Sequence, residues 1–383
     1  MANKDLADAF FHKYRGLIVR LSPFKLKVDK ETIKTVGIIE ALLNRAYDVH
    51  SGANAFGRYG VTAGHNVESY IGTATEYLEE LERGNFPLKG LFAEPGMNVC
   101  DHAFVIKDDV IHCFYNRGYI GYEWDTRFID TFGHIVSTDM VNWKVLPPAF
   151  SLDGSKYEDY QIWSPGIVKK DDTYYMYYTS VNKNAAESIS LATSKDLINW
   201  KHYEKNPVVL PGKWGDWNFD RWSDCRDSFV LLDGDTAYMY YFARFKNQTP
   251  VIAISKSYDM FDWQDCGTVE MNNCDTALES PTVIKYGEFY FMLFTHCGLG
   301  TCYAVSNNPI NNWEYKGVLF SKRREALCDA NVPSCPEIVN FKDKWYISCC
   351  ERLPRNEQYL EIYELTIDND TLVVGKQVEI QEI

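Results

Sequence analysis

The chain has 383 residues, 46% of them hydrophobic, with 39 Lys and Arg against 53 Asp and Glu, a formal charge of −14. That balance argues against a nucleic acid or an anionic membrane as a partner, because a net-negative surface repels a polyanion. No stretch approaches the roughly 20 apolar residues of a membrane span, and the N-terminal MANKDLADAFFHKYRGLIVRL lacks the apolar core of a signal peptide, so a cytoplasmic protein is predicted.

Residues 1–95 read as a helical extension. In DKETIKTVGIIEALLNRAYDVHSG, Ile33, Val36, Leu42 and Leu43 recur near helical spacing, with Asp29 as N-cap and Gly52 as stop. In HNVESYIGTATEYLEELERG, Val67, Tyr70, Ile71, Tyr77, Leu78 and Leu81 form one apolar stripe between Asn66 and Gly84. Two helices are predicted, serving either as a lid packed on the rest of the chain or as the arm of a homodimer.

From residue 96 the period changes to that of strands. Five stretches share a polar opening, a short apolar strand, a turn rich in Asp, Gly or Lys, and an aromatic strand: CDHAFVIKDDVIHCFYN from Cys100, WSPGIVKKDDTYYMYYTS from Trp163, CRDSFVLLDGDTAYMYYFA from Cys225, ESPTVIKYGEFYFMLFTH from Glu279 and CPEIVNFKDKWYISCCE from Cys335. Aligning Asp101, Ser164, Asp227, Glu279 and Pro336 gives spacings of 63, 63, 52 and 57 residues. A second element follows out of phase, a strand running through a Ser/Asp/Asn turn into Trp143, Trp200, Trp263 and Trp313, at spacings of 57, 63 and 50. The fifth copy lacks this tryptophan and ends in YLEIYELTIDNDTLVVGKQVEI, which still alternates as strands do. Four strands per repeat, each unit burying its faces only against the next, predict an all-β five-bladed β-propeller over residues 96–383 behind the helical extension. Neither a kelch glycine pair nor a WD dipeptide recurs, which sets those propeller classes aside.

The 11 cysteines are odd in number, form no CxxC pair and fall in strand-like segments, so they read as reduced, buried thiols. Cys297 and Cys302 are a weaker candidate for metal ligation, and no metal or cofactor is expected. The one tight basic run, Lys322 to Arg324, reads as a solvated loop.

In a propeller the first strand of each blade lines the axis, so the openings of the five copies meet at one mouth. Asp101, Asp227 and Glu279 are expected to converge there, with Trp163-Ser164-Pro165 and Cys335-Pro336-Glu337 from the other two copies. Three carboxylates at the end of apolar strands repel one another and are poorly solvated, so one is expected to keep its proton at neutral pH. One protonated and one ionised carboxyl suit cleavage of a glycosidic bond: the acid protonates the leaving oxygen while the carboxylate attacks the anomeric carbon or activates water. Arg226 is expected to orient a carboxylate or donate to sugar hydroxyls. Trp163, Trp222 and Trp124 are candidate sugar-stacking residues, and His102 and His296 candidate hydroxyl partners without metal-like neighbours.

These motifs resemble the five-bladed propeller glycoside hydrolases: the β-fructosidases and levansucrases of families 32 and 68, and the arabinanases and β-xylosidases of family 43. Arg226-Asp227 resembles the fructosidase Arg-Asp, Glu279-Ser280-Pro281 the Glu-x-Pro of both groups, and Trp163-Ser164-Pro165 the Trp-Ala-Pro of family 43. The resemblance implies Asp101 as nucleophile or base, Asp227 as transition-state stabiliser and Glu279 as acid with a raised pKa. The sequence departs from the fructosidases where Cys100-Asp101-His102-Ala103 replaces Asn-Asp-Pro-Asn-Gly and where Ser228 follows the Arg-Asp pair, which argues against a simple sucrose-type specificity. The helical extension resembles that of neoagarobiose hydrolases, which implies dimerisation through it. The expected substrate is a small oligosaccharide or glycoside with a fructosyl or arabinosyl unit, cleaved with retention. Carboxyl separations of about 5 to 5.5 Å suit retention and roughly 6.5 to 9.5 Å inversion. Two alternatives are a non-catalytic carbohydrate-binding or scaffold propeller and a transglycosylase using the same groups.

Overall fold

The computed structural model describes residues 2–50, 63–86, 88–94, 97–119, 129–272, 278–296, 299–320, 333–352 and 358–382. Trp124, Gly52, Cys297 and the Lys322–Arg324 run lie outside them. Helices α1 (Ala2–Leu21), α2 (Lys30–His50) and α3 (Ala63–Glu82) come first and five antiparallel sheets follow.

The helical part differs from the prediction in number: there are three helices. The first went unread because it buries few apolar side chains, among them Phe10, Leu17 and Leu21, along an otherwise charged sequence. Asp29 caps the second as predicted, its Oδ1 accepting the Thr32 amide at 2.8 Å. In that helix Val36, Leu42 and Leu43 are buried, whereas Ile33 is 55% exposed. The third begins ahead of Asn66, at Ala63, and gives way to Gly84 at φ +80. Its stripe of Tyr70, Ile71, Tyr77, Leu78 and Leu81 packs with the other two helices and with Leu88, Leu91 and Tyr359. Phe92 then bridges to Leu360 and Gly90 to Ile380, so the segment after the helices is pinned to blade five and the C-terminus.

The five sheets are the blades. Their four sequential strands are Met97–Lys107, Val110–Tyr119, Ile129–Ser137 and Asn142–Leu146; Gln161–Lys170, Thr173–Val181, Glu187–Ser194 and Trp200–His202; Cys225–Asp233, Thr236–Arg244, Pro250–Ser257 and Gln264–Thr268; Leu278–Tyr286, Phe289–His296, Gly300–Ser306 and Trp313–Phe320; and Ser334–Phe341, Lys344–Arg352, Gln358–Asp368 and Thr371–Gln377. First and second strands join through two-residue turns with left-handed residues, Asp108-Asp109 in blade one and Lys342-Asp343 in blade five both at positive φ. That geometry matches the right-handed twist of the strands it connects.

The recurrent tryptophan turn has a common hydrogen-bond scheme. Ser137 Oγ accepts the amides of Asp139 and Met140, and Asp139 Oδ1 accepts those of Val141 and Asn142. Ser194 and Asp196 repeat it ahead of Trp200, Ser257 and Asp259 ahead of Trp263, and Ser306 and Asn308 ahead of Trp313. Side chains thus satisfy the turn amides, leaving the tryptophan to be buried, completely so for Trp143 and Trp313.

Apolar clusters lie between consecutive blades, which closes the ring. Phe104 and Trp143 of blade one meet Phe341 and Ile362 of blade five, Val105 and Phe132 meet Ile162 and Tyr178, Tyr177 and Leu191 meet Met239 and Tyr241, Ile254 meets Val283 and Met292, and Leu293 meets Ile347 and Tyr363. The C-terminal Gln381–Glu382 adds a parallel strand to the outer edge of blade one.

Candidate active site

Each first strand carries a bulge near its opening, where it has one residue more than the second strand it pairs with. Inside those five bulges lie Asp101, Ser164, Asp227, Ser280 and Cys335, all left-handed, with φ of 31, 49, 58, 50 and 53. This corrects the alignment read from sequence: the equivalents of Asp101, Ser164 and Asp227 in blades four and five are Ser280 and Cys335, not Glu279 and Pro336. Glu279 sits one position earlier, level with Trp163 and Arg226.

The five bulge side chains form a ring. Ser164 Oγ lies 2.8 Å from Asp101 Oδ2 and 2.7 Å from Asp227 Oδ1. Ser280 Oγ is 3.1 Å from Asp227 Oδ2 and 3.7 Å from Cys335 Sγ, and Cys335 Sγ returns to Asp101 Oδ1 at 2.5 Å. Amides turned out of the ladders are caught by the preceding blade. Ser164 N donates to Asn116 Oδ1, Asp227 N to Thr179 Oγ1, Ser280 N to Asp227 Oδ2 and Cys335 N to Thr295 Oγ1. Asn116 also donates its Nδ2 to Asp101 Oδ2 at 2.8 Å. The ring borders a pocket, partly open to solvent, whose walls include His102 and Glu337.

Beside the ring stands Arg226. Its Nη2 donates to Glu279 Oε1 at 2.9 Å, its Nη1 to Glu187 Oε2 at 3.1 Å and to Asp224, and its guanidinium carbon lies 4.0 Å from the centre of the Phe242 ring. Glu187 Oε2 also accepts the Cys225 amide, and Arg244 Nε reaches Asp224 Oδ2 at 2.7 Å. Glu187, Asp224 and Asn116 had no motif to announce them, each being a single polar residue in or beside a strand, and Ser280 stood only as the variable middle of Glu279-Ser280-Pro281. Burial pushes the Asp227 carboxyl up to about 7, with the Asp101 charge next in weight and Arg226 opposing. Burial likewise raises Glu187 to about 7 against the pull of Arg226. For Arg226 burial disfavours the charge, but Glu187, Glu279, Asp227 and Asp224 outweigh it and hold the group protonated.

The remaining predicted residues are dispersed. His102 is buried below the ring, its Nε2 2.5 Å from Ser348 Oγ and its Nδ1 3.5 Å from Cys350 Sγ; burial lowers it to about 3 and keeps it neutral. His296 is buried at the end of the second strand of blade four. Trp163 is half-buried against Cys100, Ile129 and Cys350, its Nε1 donating to Gln161 Oε1 at 3.0 Å. Trp222 is 53% exposed, two residues before Asp224. Cys113, Cys225 and Cys350 are buried thiols, and Cys302 takes a hydrogen bond from Tyr315. Away from the ring, Asp153, Glu158 and His202 bring ligand-type atoms within 4.8 Å of one another, but Tyr178 OH already joins Glu158 to His202.

The family described as glycosyl hydrolases family 32 N-terminal domain matches residues 97–290. The chain belongs to this family. The match takes in the bulges of blades one to four, and with them Asp101, Arg226, Asp227 and Glu279. Among curated relatives, a bifunctional 6(G)-fructosyltransferase/2,1-fructan:2,1-fructan 1-fructosyltransferase of Allium cepa is 36% identical over 87 residues, 21% of this chain and 14% of that protein. A probable arabinan endo-1,5-alpha-L-arabinosidase A of Aspergillus flavus is 26% identical over 226 residues, 54% of this chain and 58% of that protein. The chain therefore spans less than two thirds of the length of either relative. A thermostable family-43 glycoside hydrolase shares the fold, with a TM-score of 0.61 and 18% identity over 74% of this chain and 95% of that one.

Proposed function

We propose that this family 32 chain is a glycoside hydrolase that releases a furanosyl unit, fructosyl or arabinosyl, from a small glycoside. The observation that carries the reading is the juxtaposition of Asp101 and Asp227 in one ring with Glu279 held alongside by Arg226. Glu279 protonates the departing glycosidic oxygen, and Asp101 attacks the anomeric carbon or activates water. Asp227, held from behind by Ser280, contacts sugar hydroxyls. The names of the fructosyltransferase and arabinosidase relatives support a furanoside. Trp222, exposed two residues before Asp224, suits stacking on a sugar beyond the cleaved bond.

The test is a screen of aryl furanosides and pyranosides with the wild type, Asp101→Asn and Glu279→Gln. Turnover by the wild type and its loss by orders of magnitude in both variants, with unchanged circular dichroism, supports the assignment. A binding or scaffold protein predicts no turnover and ligand binding that survives Glu279→Gln. The first-formed anomer, read by proton NMR, decides between attack by Asp101, with retention, and activation of water, with inversion. The fructosyltransferase relative favours a second reading, transfer to a sugar acceptor in place of water, which product analysis at high sugar concentration separates.

A cytoplasmic setting, with buried thiols kept reduced, is part of the proposal. A homodimer through the helices is supported by exposed Val19, Leu26, Val28 and Ile33 and is tested by sedimentation.

A further inference from the structure

Ser164 bridges the two aspartates. A hydroxyl has one hydrogen and two lone pairs, so Ser164 Oγ can donate along only one of its contacts, at 2.8 Å to Asp101 Oδ2 and at 2.7 Å to Asp227 Oδ1. Were both carboxyls ionised, the other contact would press a hydroxyl lone pair against a carboxylate oxygen. The missing hydrogen belongs to a carboxyl.

The surrounding donors decide which one. Asn116 Oδ1 accepts the Ser164 amide, which turns its Nδ2 toward Asp101 Oδ2. That oxygen already receives one donor, which favours it as an acceptor of the Ser164 hydroxyl. Asp227 Oδ2 accepts both the amide and the hydroxyl of Ser280, which leaves Oδ1, facing Ser164, as the site for a proton.

We infer that Ser164 is a positioning residue that ties Asp101 and Asp227 into a pair sharing one proton: Asp227 Oδ1–H donates to Ser164 Oγ, and Ser164 donates to Asp101 Oδ2. The inference rests on the reading of Asp101 as the reacting carboxylate and adds how its orientation and charge are kept. The bridge is best satisfied with one proton on the pair, so it widens the pH range over which that state persists. Burial and the neighbouring Asp101 charge raise the Asp227 carboxyl independently of the bridge, whose hydroxyl, as a donor to an ionised Asp227, would lower it. The other charged or titratable groups facing the pair are Arg226, whose Nε lies 3.8 Å from Asp227 Oδ2, Glu279, Cys335 and Cys350, with His102 and Glu337 along the cavity.

Ser164→Ala and Ser164→Gly both remove the hydroxyl. The first keeps a side chain at φ +49 and the second relieves that conformation, so an effect common to both belongs to the hydroxyl. Infrared spectra are recorded against pH, with Asp227→Asn as the reference that isolates the Asp227 carboxyl from Glu187 and Glu337. The wild type is expected to show a protonated-carboxyl band, absent from Asp227→Asn, that titrates near neutrality. In both Ser164 variants its midpoint falls by about one to two pH units, and the acid limb of kcat/KM rises by a similar amount, the worth of one charge-assisted hydrogen bond. An unchanged midpoint in both variants, or no band assignable to Asp227, overturns the pairing. The infrared arm needs no substrate: a band that shifts in a protein cleaving no glycoside upholds the pair and sinks the glycosidase reading alone.

Discussion

Arg226 and Glu279 occupy the same position, one residue before the bulge, in neighbouring blades, and Arg226 Nη2 donates to Glu279 Oε1 at 2.9 Å. The opposite edge of the same guanidinium is held by buried Glu187 and Asp224, and its face lies on Phe242. Glu279 thus meets a donor that is itself fixed on three sides. Arg226 and Asp227, adjacent in sequence, therefore divide the work: Asp227 joins the ring and Arg226 holds the proposed acid.

Replacing Arg226 by Lys keeps a charge but removes the planar fork that serves several carboxylates at once. Arg226→Lys is expected to lower kcat/KM about 10- to 100-fold, the worth of one lost charge-assisted hydrogen bond. Arg226→Ala, which leaves Glu187 buried without its counter-charge, is expected to cost about 3–5 kcal/mol of stability. Steady-state kinetics and urea unfolding check the two.

The Glu337 carboxyl, buried and pushed up to about 8, faces Thr282. A carboxyl whose folded-state pKa lies above its unfolded value binds more protons folded than unfolded, so stability falls as pH climbs between the two values. That window runs from about 4 to about 8. Glu337→Gln is therefore expected to match the wild type near pH 4 and to be the more stable protein above pH 8, as read from urea midpoints. Asp227 and Glu187, both near 7, add slopes of the same sign.

Trp313 is completely buried between blades three and four. Trp313→Ala is expected to lose about 3–5 kcal/mol, as other large-to-small core changes do. Because the tryptophan does not touch the ring, the thermal midpoint should fall while KM at low temperature stays unchanged.

The propeller was legible because its signals are carried by residue types: alternating strands, two-residue turns and a tryptophan at a drifting but steady interval. The register at the mouth was legible only in blades one to three. Backbone conformation marks the equivalent positions, and a left-handed Ser280 or Cys335 leaves less trace in sequence than a left-handed Asp does. Glu279 drew the alignment to itself by its charge, one residue early. Glu187 opens ESISLATS as any polar strand residue would, and its partnership with Arg226, 39 positions away, is set by the approach of blade three to blade two. The first helix was missed for a different reason: Phe10, Leu17 and Leu21 make a stripe too sparse to stand out among charged neighbours.

The central claim is that Glu279 supplies a proton to a leaving group while Asp101 works at the anomeric carbon. The most direct measurement compares kcat/KM of Glu279→Gln and Asp101→Asn on a furanoside with a poor leaving group and on a dinitrophenyl furanoside, whose leaving group needs no proton. Glu279→Gln is expected to lose at least 10²-fold on the first and far less on the second, the usual scale of acid catalysis, while Asp101→Asn loses activity on both. Equal losses by Glu279→Gln on the two substrates, or full activity of Asp101→Asn on either, would contradict it.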